Sequence, residues 1–354
     1  MAMNVHIATT TSDQLLKEWE SLWNTSQMAT MMNSPYWFQA AFHAFKPKAI
    51  RIICIYEEDQ LRAVAPFFQE KHYGVPLYVT PLHDLGDKSS ILCDFNNTPL
   101  TKLLILKIRE LENVWLTGLS KIEFDSVQIA VPHARMIATD LNAYITIFEG
   151  IYGDFPKPMK AKVINRSKRS SQPLHVEHNE DNHTNWLPTI FEIDQNSVKQ
   201  KKGRSIFGRK EVRVFFQNLY RLAPKRILIS LLFFGEIPIS YTLGFVCNNI
   251  YQGSQKAFLP GYEYYCPGSL LLLNVLELMH NKGSPEFDMG KGYDSFKSGF
   301  TKKTRPLYTV AFTKNNWTCN YLHKISLLRQ TLYAFVEHHH TLYGAYKNLK
   351  NKIL

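Results

Sequence analysis

The 354-residue chain has no run of about 18 or more apolar residues, so it offers no candidate for a membrane-crossing helix. The stretch Met1–Thr11 lacks the charged-then-apolar pattern of a secretory leader, which leads to the expectation of an intracellular, cytoplasmic protein. Cysteine is sparse and scattered. Cys54, Cys93, Cys247, Cys266 and Cys319 lie far apart, without the paired spacing of a zinc site or a disulfide framework, and read as reduced thiols. A GxxxxGK[ST] phosphate loop is missing. In the histidine run His338-His339-His340, neighbours point to different faces of a helix, and no cysteine or acid stands at ligand spacing, so no metal is expected. Acidic residues are outnumbered, 30 against 41 Lys and Arg, giving a net charge of +11 and a pI near 9.2. That balance favours anionic partners: phosphorylated cofactors, nucleic acid or membrane head groups.

Apolar residues make up 45% of the chain and aromatics 13%, enough to pack one large core or two of ordinary size. Leu15–Trp23 places Leu15, Leu16, Trp19, Leu22 and Trp23 on one helical face, and Ser34-Pro35 opens a second short helix through Phe45. Arg51–Tyr56 and Leu61–Gln69 form a hairpin across an acidic turn, followed by a strand at Leu77–Thr80. A helix from about Pro99 to Trp115 is expected next, then a strand at Lys121–Phe124. Tyr144–Phe148 closes this half. A basic crossover follows, with Lys157, Lys160, Lys162, Arg166, Lys168 and Arg169.

The second half is organised around Ile227–Lys297. Ile227–Phe234 is a nearly continuous apolar run, as in a buried strand. Gly235-Glu236 turns it back into Ile237–Val246, and Asn248-Asn249 turns that into Ile250–Phe258. After Gly261-Tyr262-Glu263-Tyr264-Tyr265-Cys266-Pro267-Gly268-Ser269, an apolar helix over Leu270–Lys282 stops at Gly283. Glu286–Met289 is a short strand leading into Asp288-Met289-Gly290-Lys291-Gly292-Tyr293-Asp294-Ser295-Phe296-Lys297. A strand passing through a Pro-Gly loop into a helix aims backbone N–H groups and a positive dipole end at one point, which suits a phosphate or pyrophosphate.

This order resembles the core of a GNAT-type acyltransferase, and more narrowly the CelD/BcsL-like branch tied to bacterial polysaccharide synthesis. The residues that carry the resemblance are Gly261-Tyr262-Glu263, Pro267-Gly268, Asp288, Gly292 and Lys297, with Trp19, Ser34-Pro35-Tyr36-Trp37 and Ala65-Pro66 further back. Glu263 stands where the family has aspartate, and Phe296 where it has tyrosine. The resemblance implies an α/β (α+β) fold of tandem GNAT-like domains, each a mixed, mostly antiparallel sheet flanked by helices. Residues 1–150 would form a first, cofactor-free domain, 151–320 an acyl-CoA-binding domain, and 321–354 an amphipathic basic segment. Acyl-CoA, such as acetyl-CoA, would lie with its pantetheine along the strand ending at Phe258. Its pyrophosphate would sit at Cys266, Pro267, Gly268, Ser269 and Leu270.

Acyl transfer from a thioester needs a held donor, a base for the acceptor and a stabilised oxyanion. Asp288 and Glu263 are the carboxylates in sequence position for the base. Lys297 matches the family lysine as an anion anchor, and Tyr293 is a substitute for the hydroxyl that Phe296 lacks. The implied acceptor is a glycan or amino-sugar precursor, met in the cytoplasm or at the inner face of the membrane through the basic C-terminal helix. Two alternatives stand beside this reading. One is a Fem-like transferase taking an aminoacyl group from tRNA, for which the basic loop Lys199–Lys210 would speak. The other is a scaffold that keeps the fold without activity.

Overall fold

A computed structural model describes residues 3–328, apart from 73, 83, 133, 148–156, 180–184, 202–204, 314, 316 and 326; for 157–159 and 201 the backbone alone is described. Most of the expected amphipathic C-terminal segment and the His338–His340 run lie outside the described residues, as does part of the Lys199–Lys210 loop.

Along the chain, β1 (Met3–Ala8) leads to α1 (Asp13–Thr25) and α2 (Pro35–Phe45), each started by a serine side chain, Ser12 and Ser34, that accepts from a first-turn N–H. The hairpin β2 (Ile50–Glu57) and β3 (Gln60–His72) precedes β4 (Val75–Val79), β5 (Leu92–Cys93), α3 (Thr98–Arg109), β6 (Val114–Leu119), α4 (Lys121–Ala130) and β7 (Arg135–Thr146). Then come α5 (Lys157–Ser167), β8 (Leu174–His178), α6 (Leu187–Gln195), α7 (Val198–Lys201) and α8 (Lys210–Leu222). The antiparallel β9 (Ile227–Phe234), β10 (Ile237–Cys247) and β11 (Ile250–Phe258) lead into α9 (Pro267–Asn281), β12 (Glu286–Lys291), α10 (Ser295–Ser298) and β13 (Thr304–Phe312).

Two compact units share this chain: one of Met1–Met28, Pro47–Asp140 and the stretch from Leu307 on, the other of Ala29–Lys46 and Leu141–Pro306. In the first, strands run in the order β1-β2-β3-β4-β6-β13, antiparallel except for the β4–β6 pair. Its core joins Ile53, Ala65 and Phe67 of the hairpin to Leu104 and Ile108 of α3 and Leu116 of β6. In the second, the order is β7-β12-β11-β10-β9-β8, antiparallel except for β11–β12. Its core sets Leu276 and Met279 of α9 against Tyr251 and Phe287. On α8, Phe215 meets Trp37 of α2 edge to face, with ring centroids 4.7 Å apart. The α/β class and the mixed, mostly antiparallel sheets are those expected from the sequence.

One stretch differs from that expectation. Trp115 ends no helix: α3 stops at Arg109, and Val114–Leu119 is a fully buried strand. Lys121–Phe124, expected as a strand, opens helix α4. The Glu123 side chain reaches back to accept from the Ser120 N–H at 2.6 Å, the glutamate half of a capping box. The apolar run Val114–Leu119 continues the helical apolar pattern, so periodicity alone does not reveal the break; Asn113 and the Ser120-x-x-Glu123 spacing do.

Candidate active site

Three pieces of the second unit meet around β11. The first is the strand itself. β11 pairs with β10 along its whole length, but with β12 only at Tyr251–Phe287 and Gln252–Asp288. Beyond Gln252 the two parallel strands part, and β11 runs on to Phe258 with no strand paired to that edge among the described residues. A bulge between Leu243 and Gly244 falls where the strands part, and bulges redirect side chains and twist a strand away from its partner. An open strand edge presents unpaired N–H and C=O groups, the pairing surface an extended amide-bearing ligand uses.

The second piece is the start of α9. Cys266 takes the left-handed conformation (φ 51°), and no side chain caps the helix. Ser269 and Leu270 send their N–H groups to the Cys266 carbonyl at 2.9 and 3.0 Å, and Pro267 has none. Gly268 is left with the first-turn N–H that has no partner among the described residues, so this helix start offers one free donor rather than several. Arg166 of α5 adds charge: its guanidinium donates to the Tyr264 carbonyl and the Cys266 Sγ, both at 3.3 Å, and lies over the Tyr264 ring. Glu263 is exposed, and its carboxylate accepts from the Gly261 N–H at 2.9 Å.

The third piece is the turn from β12 into α10. Asp288 is 1% exposed. One of its oxygens accepts from Asn142 at 2.7 Å and from the Gly290 N–H at 2.8 Å; the other accepts from Arg305 at 2.8 Å. Arg305 also grips Glu286 through two nitrogens and donates to Asn142. Lys297, 7% exposed, turns inward and donates to the carbonyls of Gly290 and Lys291 at 2.7 and 2.6 Å. The Tyr293 hydroxyl donates to the Thr301 carbonyl at 3.2 Å. Asp288 and Lys297 thus brace the Gly290–Gly292 turn.

Two lysines complete the surroundings. Lys256 lies on the open stretch of β11, its Nζ 3.5 Å from the centre of the Phe296 ring. The same ring comes within 3.7 Å of where a Cβ on Gly268 would be, so Phe296 links the strand edge to the helix start. Lys199 of α7 donates to Gln255 at 2.9 Å, and burial lowers its pKa. Lys199 belongs to the basic loop Lys199–Lys210 that the sequence analysis sets out, whereas sequence order gave no reason to single out Lys256, because its meaning lies in neighbours from other elements. Burial pushes the thiols of Cys54, Cys93 and Cys247 up to about 12, as for inert core cysteines. Among the described residues, no three His, Cys, Asp or Glu side chains are grouped as for a metal ion, and no helix is long and apolar enough to cross a membrane.

Residues 162–298, which hold all three pieces, match the acetyltransferase (GNAT) domain family, so the second unit carries a GNAT-fold acetyltransferase domain. Among solved structures, FemX superposes with a TM-score of 0.65 at 10% identity, over 90% of this chain and 100% of that one. The C-terminal domain of a putative lysylphosphatidylglycerol synthetase from Agrobacterium fabrum gives 0.59 at 10% identity, over 90% and 96%. L-PGS from Bacillus licheniformis gives 0.56 at 13%, over 90% and 96%. At these identities the likeness is one of fold. No curated protein sequence matches the chain.

Proposed function

We propose that this protein is an acyltransferase that moves an acyl group, an acetyl in the simplest case, from acyl-CoA to the amine or hydroxyl of a glycan or amino-sugar precursor. The observation that carries the reading is the parting of β11 from β12 after Gln252, beside the uncapped start of α9. A pantetheine arm fits the open β11 edge up to Phe258, where its amides find strand partners. The pyrophosphate fits the turn Cys266-Pro267-Gly268-Ser269-Leu270, with the Gly268 N–H and Arg166 as donors. In this scheme Asp288 and Lys297 hold the turn that forms the far wall, and Glu263 and Tyr293 shape the rim. The glycan acceptor and the CelD/BcsL-like branch rest on the pattern from Gly261 to Lys297 and on the basic charge of the chain.

Calorimetry with coenzyme A and acetyl-CoA tests the reading on wild type, Gly268→Glu and Arg166→Ala. Gly268 meets only the Phe296 ring at ordinary contact distance, and a carboxylate near a helix N-terminus favours the helix, so the glutamate variant folds. Micromolar wild-type binding is expected, lost in Gly268→Glu and weakened about tenfold or more in Arg166→Ala, since a hydrogen bond to a charged group is worth roughly 1.5–3 kcal/mol. No binding by wild type removes the acyl-CoA reading. It redirects attention to aminoacyl-tRNA, whose binding would fall steeply with salt, and then to a role without catalysis.

A further inference from the structure

The last helical stretch among the described residues, 317–325 with 327 and 328 beyond it, belongs to the first unit. A helix lying on a core buries one stripe and turns polar residues outward. Here the inward stripe holds Cys319 and Leu322, both buried. On the opposite face, at steps of four, three and four residues, stand Trp317, Tyr321, Lys324 and Leu328. Trp317 is 74% exposed and Leu328 59%. The Trp317 and Tyr321 rings stack with centroids 5.7 Å apart and planes 5° from parallel, so they form one flat aromatic surface. Leu327 is exposed too, and so is Met136 of β7, which lines one cleft with Cys319 and Asn320. This helix is therefore apolar on both sides, and on the outward side Trp317 and Leu328 meet solvent. An exposed apolar patch of this kind marks a surface that something covers.

We propose that this outward face docks on a bilayer carrying anionic lipid, with the helix lying in the plane of the interface. The proposal goes beyond the acyl-CoA reading and holds whatever the donor is. The chemistry of the stripe selects the partner. Trp and Tyr join an apolar ring to a polar N–H or O–H, the combination that settles at the level of lipid head groups. Lys324 stands in the same stripe, and a lysine can lay its stem along apolar surface while its ammonium reaches a lipid phosphate. Arg135, which donates to Asn320, places a second cation on the flank. From Thr313 to Leu354 the sequence carries six Lys and Arg residues against one acid, Glu337, so this part of the chain is drawn to an anionic surface. The same charge disfavours a second copy of the chain as the cover, because two like-charged stripes repel.

The test is flotation of the full chain with vesicles of phosphatidylcholine, alone or in equimolar mixture with phosphatidylglycerol. Beside it, tryptophan fluorescence is read with dibrominated phosphatidylcholine as quencher. Trp19, Trp23, Trp37 and Trp115 are buried, so quenching that disappears in Trp317→Ser comes from the outward ring. Wild type is expected to float with the mixed vesicles, to be quenched there, and to bind phosphatidylcholine alone more weakly. Binding should fall about tenfold or more in a Trp317→Ser, Leu328→Ser double variant, and about fivefold in Lys324→Gln on the mixed vesicles only. All three positions are exposed, so the variants fold, which denaturation checks. Ile237→Ser, which changes an exposed apolar residue of β10, is the control and should bind as wild type does. Coenzyme A binding should be the same in every variant. A wild type that stays off both kinds of vesicle overturns the proposal, and sedimentation then shows whether a second copy covers the stripe instead. Undiminished binding by the double variant, or an equal loss in Ile237→Ser, overturns it as well.

Discussion

The two units build the same motif and finish it differently. Each has an antiparallel hairpin, a further strand, a helix begun near a proline, and a strand returning parallel to the earlier one. The parallel contact spans two residue pairs in both: Tyr78–Val114 and Val79–Trp115 in the first unit, Tyr251–Phe287 and Gln252–Asp288 in the second. In the first unit β4 stops at the second pair. Its helix α3 is sealed by Asn97, whose side chain accepts from the Leu100 N–H at 3.2 Å. The end of β6 is covered by the chain itself. A Cβ on Gly118 (φ 70°) would come within 2.6 Å of the Lys88 backbone, and Ser89 donates to the Gly118 carbonyl. In the second unit β11 runs on, α9 is uncapped, and charged groups stand where the first unit has a loop and a cap. The same topology is therefore closed in one copy and open in the other. That contrast is why we place the donor in the second unit alone.

The contrast has measurable edges. The largest effect is expected at Asp288→Ala. It strips a buried acceptor from Arg305 and Asn142 and should lower stability by about 3 kcal/mol in chemical denaturation. A loss below about 1 kcal/mol would mean that the Arg305 network does not brace the open turn. A smaller difference separates the two helix starts. Asn97→Ala removes a cap and should cost about 1 kcal/mol, whereas Cys266→Ala removes no cap bond and should cost a few tenths. Equal losses would erase the distinction between sealed and uncapped starts.

A third difference is a pH dependence. Lys256 has a lowered pKa when folded, so between about pH 7 and the ordinary lysine range the unfolded chain binds more protons, and wild-type stability rises with pH relative to Lys256→Met. Below pH 7 the difference is constant and unfavourable to wild type; as pH climbs toward about 10.4 it fades. A flat difference across that window would show an ordinary lysine.

Local signals made much of the second unit readable. Ile227–Phe234, the turns at Gly235 (φ 57°) and Asn248-Asn249 (φ 50° and 58°), and Ile250–Phe258 are strand and turn chemistry settled within a few residues. The apolar body of α9 was equally plain, although the helix begins at Pro267. The helix-to-strand change near Trp115 was hidden, because one apolar run serves both periods. The site was legible in its frame and not in its chemistry. Arg305 reaches Asp288 from 17 residues on, and Asn142 from 146 residues before it. Which carboxylate is engaged and which lysine stands beside two others depends on such distant partners, and sequence order does not carry it.

The division of the chain between the units has a consequence for biogenesis. Ala29–Lys46 is made early yet belongs with Leu141–Pro306, while the first unit draws β13 residues made after all of the second. During synthesis α2 therefore emerges well before α8, the helix against which it packs, and β6 lacks its partner β13 until the chain has passed Phe312. Such distant closures make folding slow and leave apolar surface and strand edges open on the ribosome, a task for chaperones rather than for local propensity.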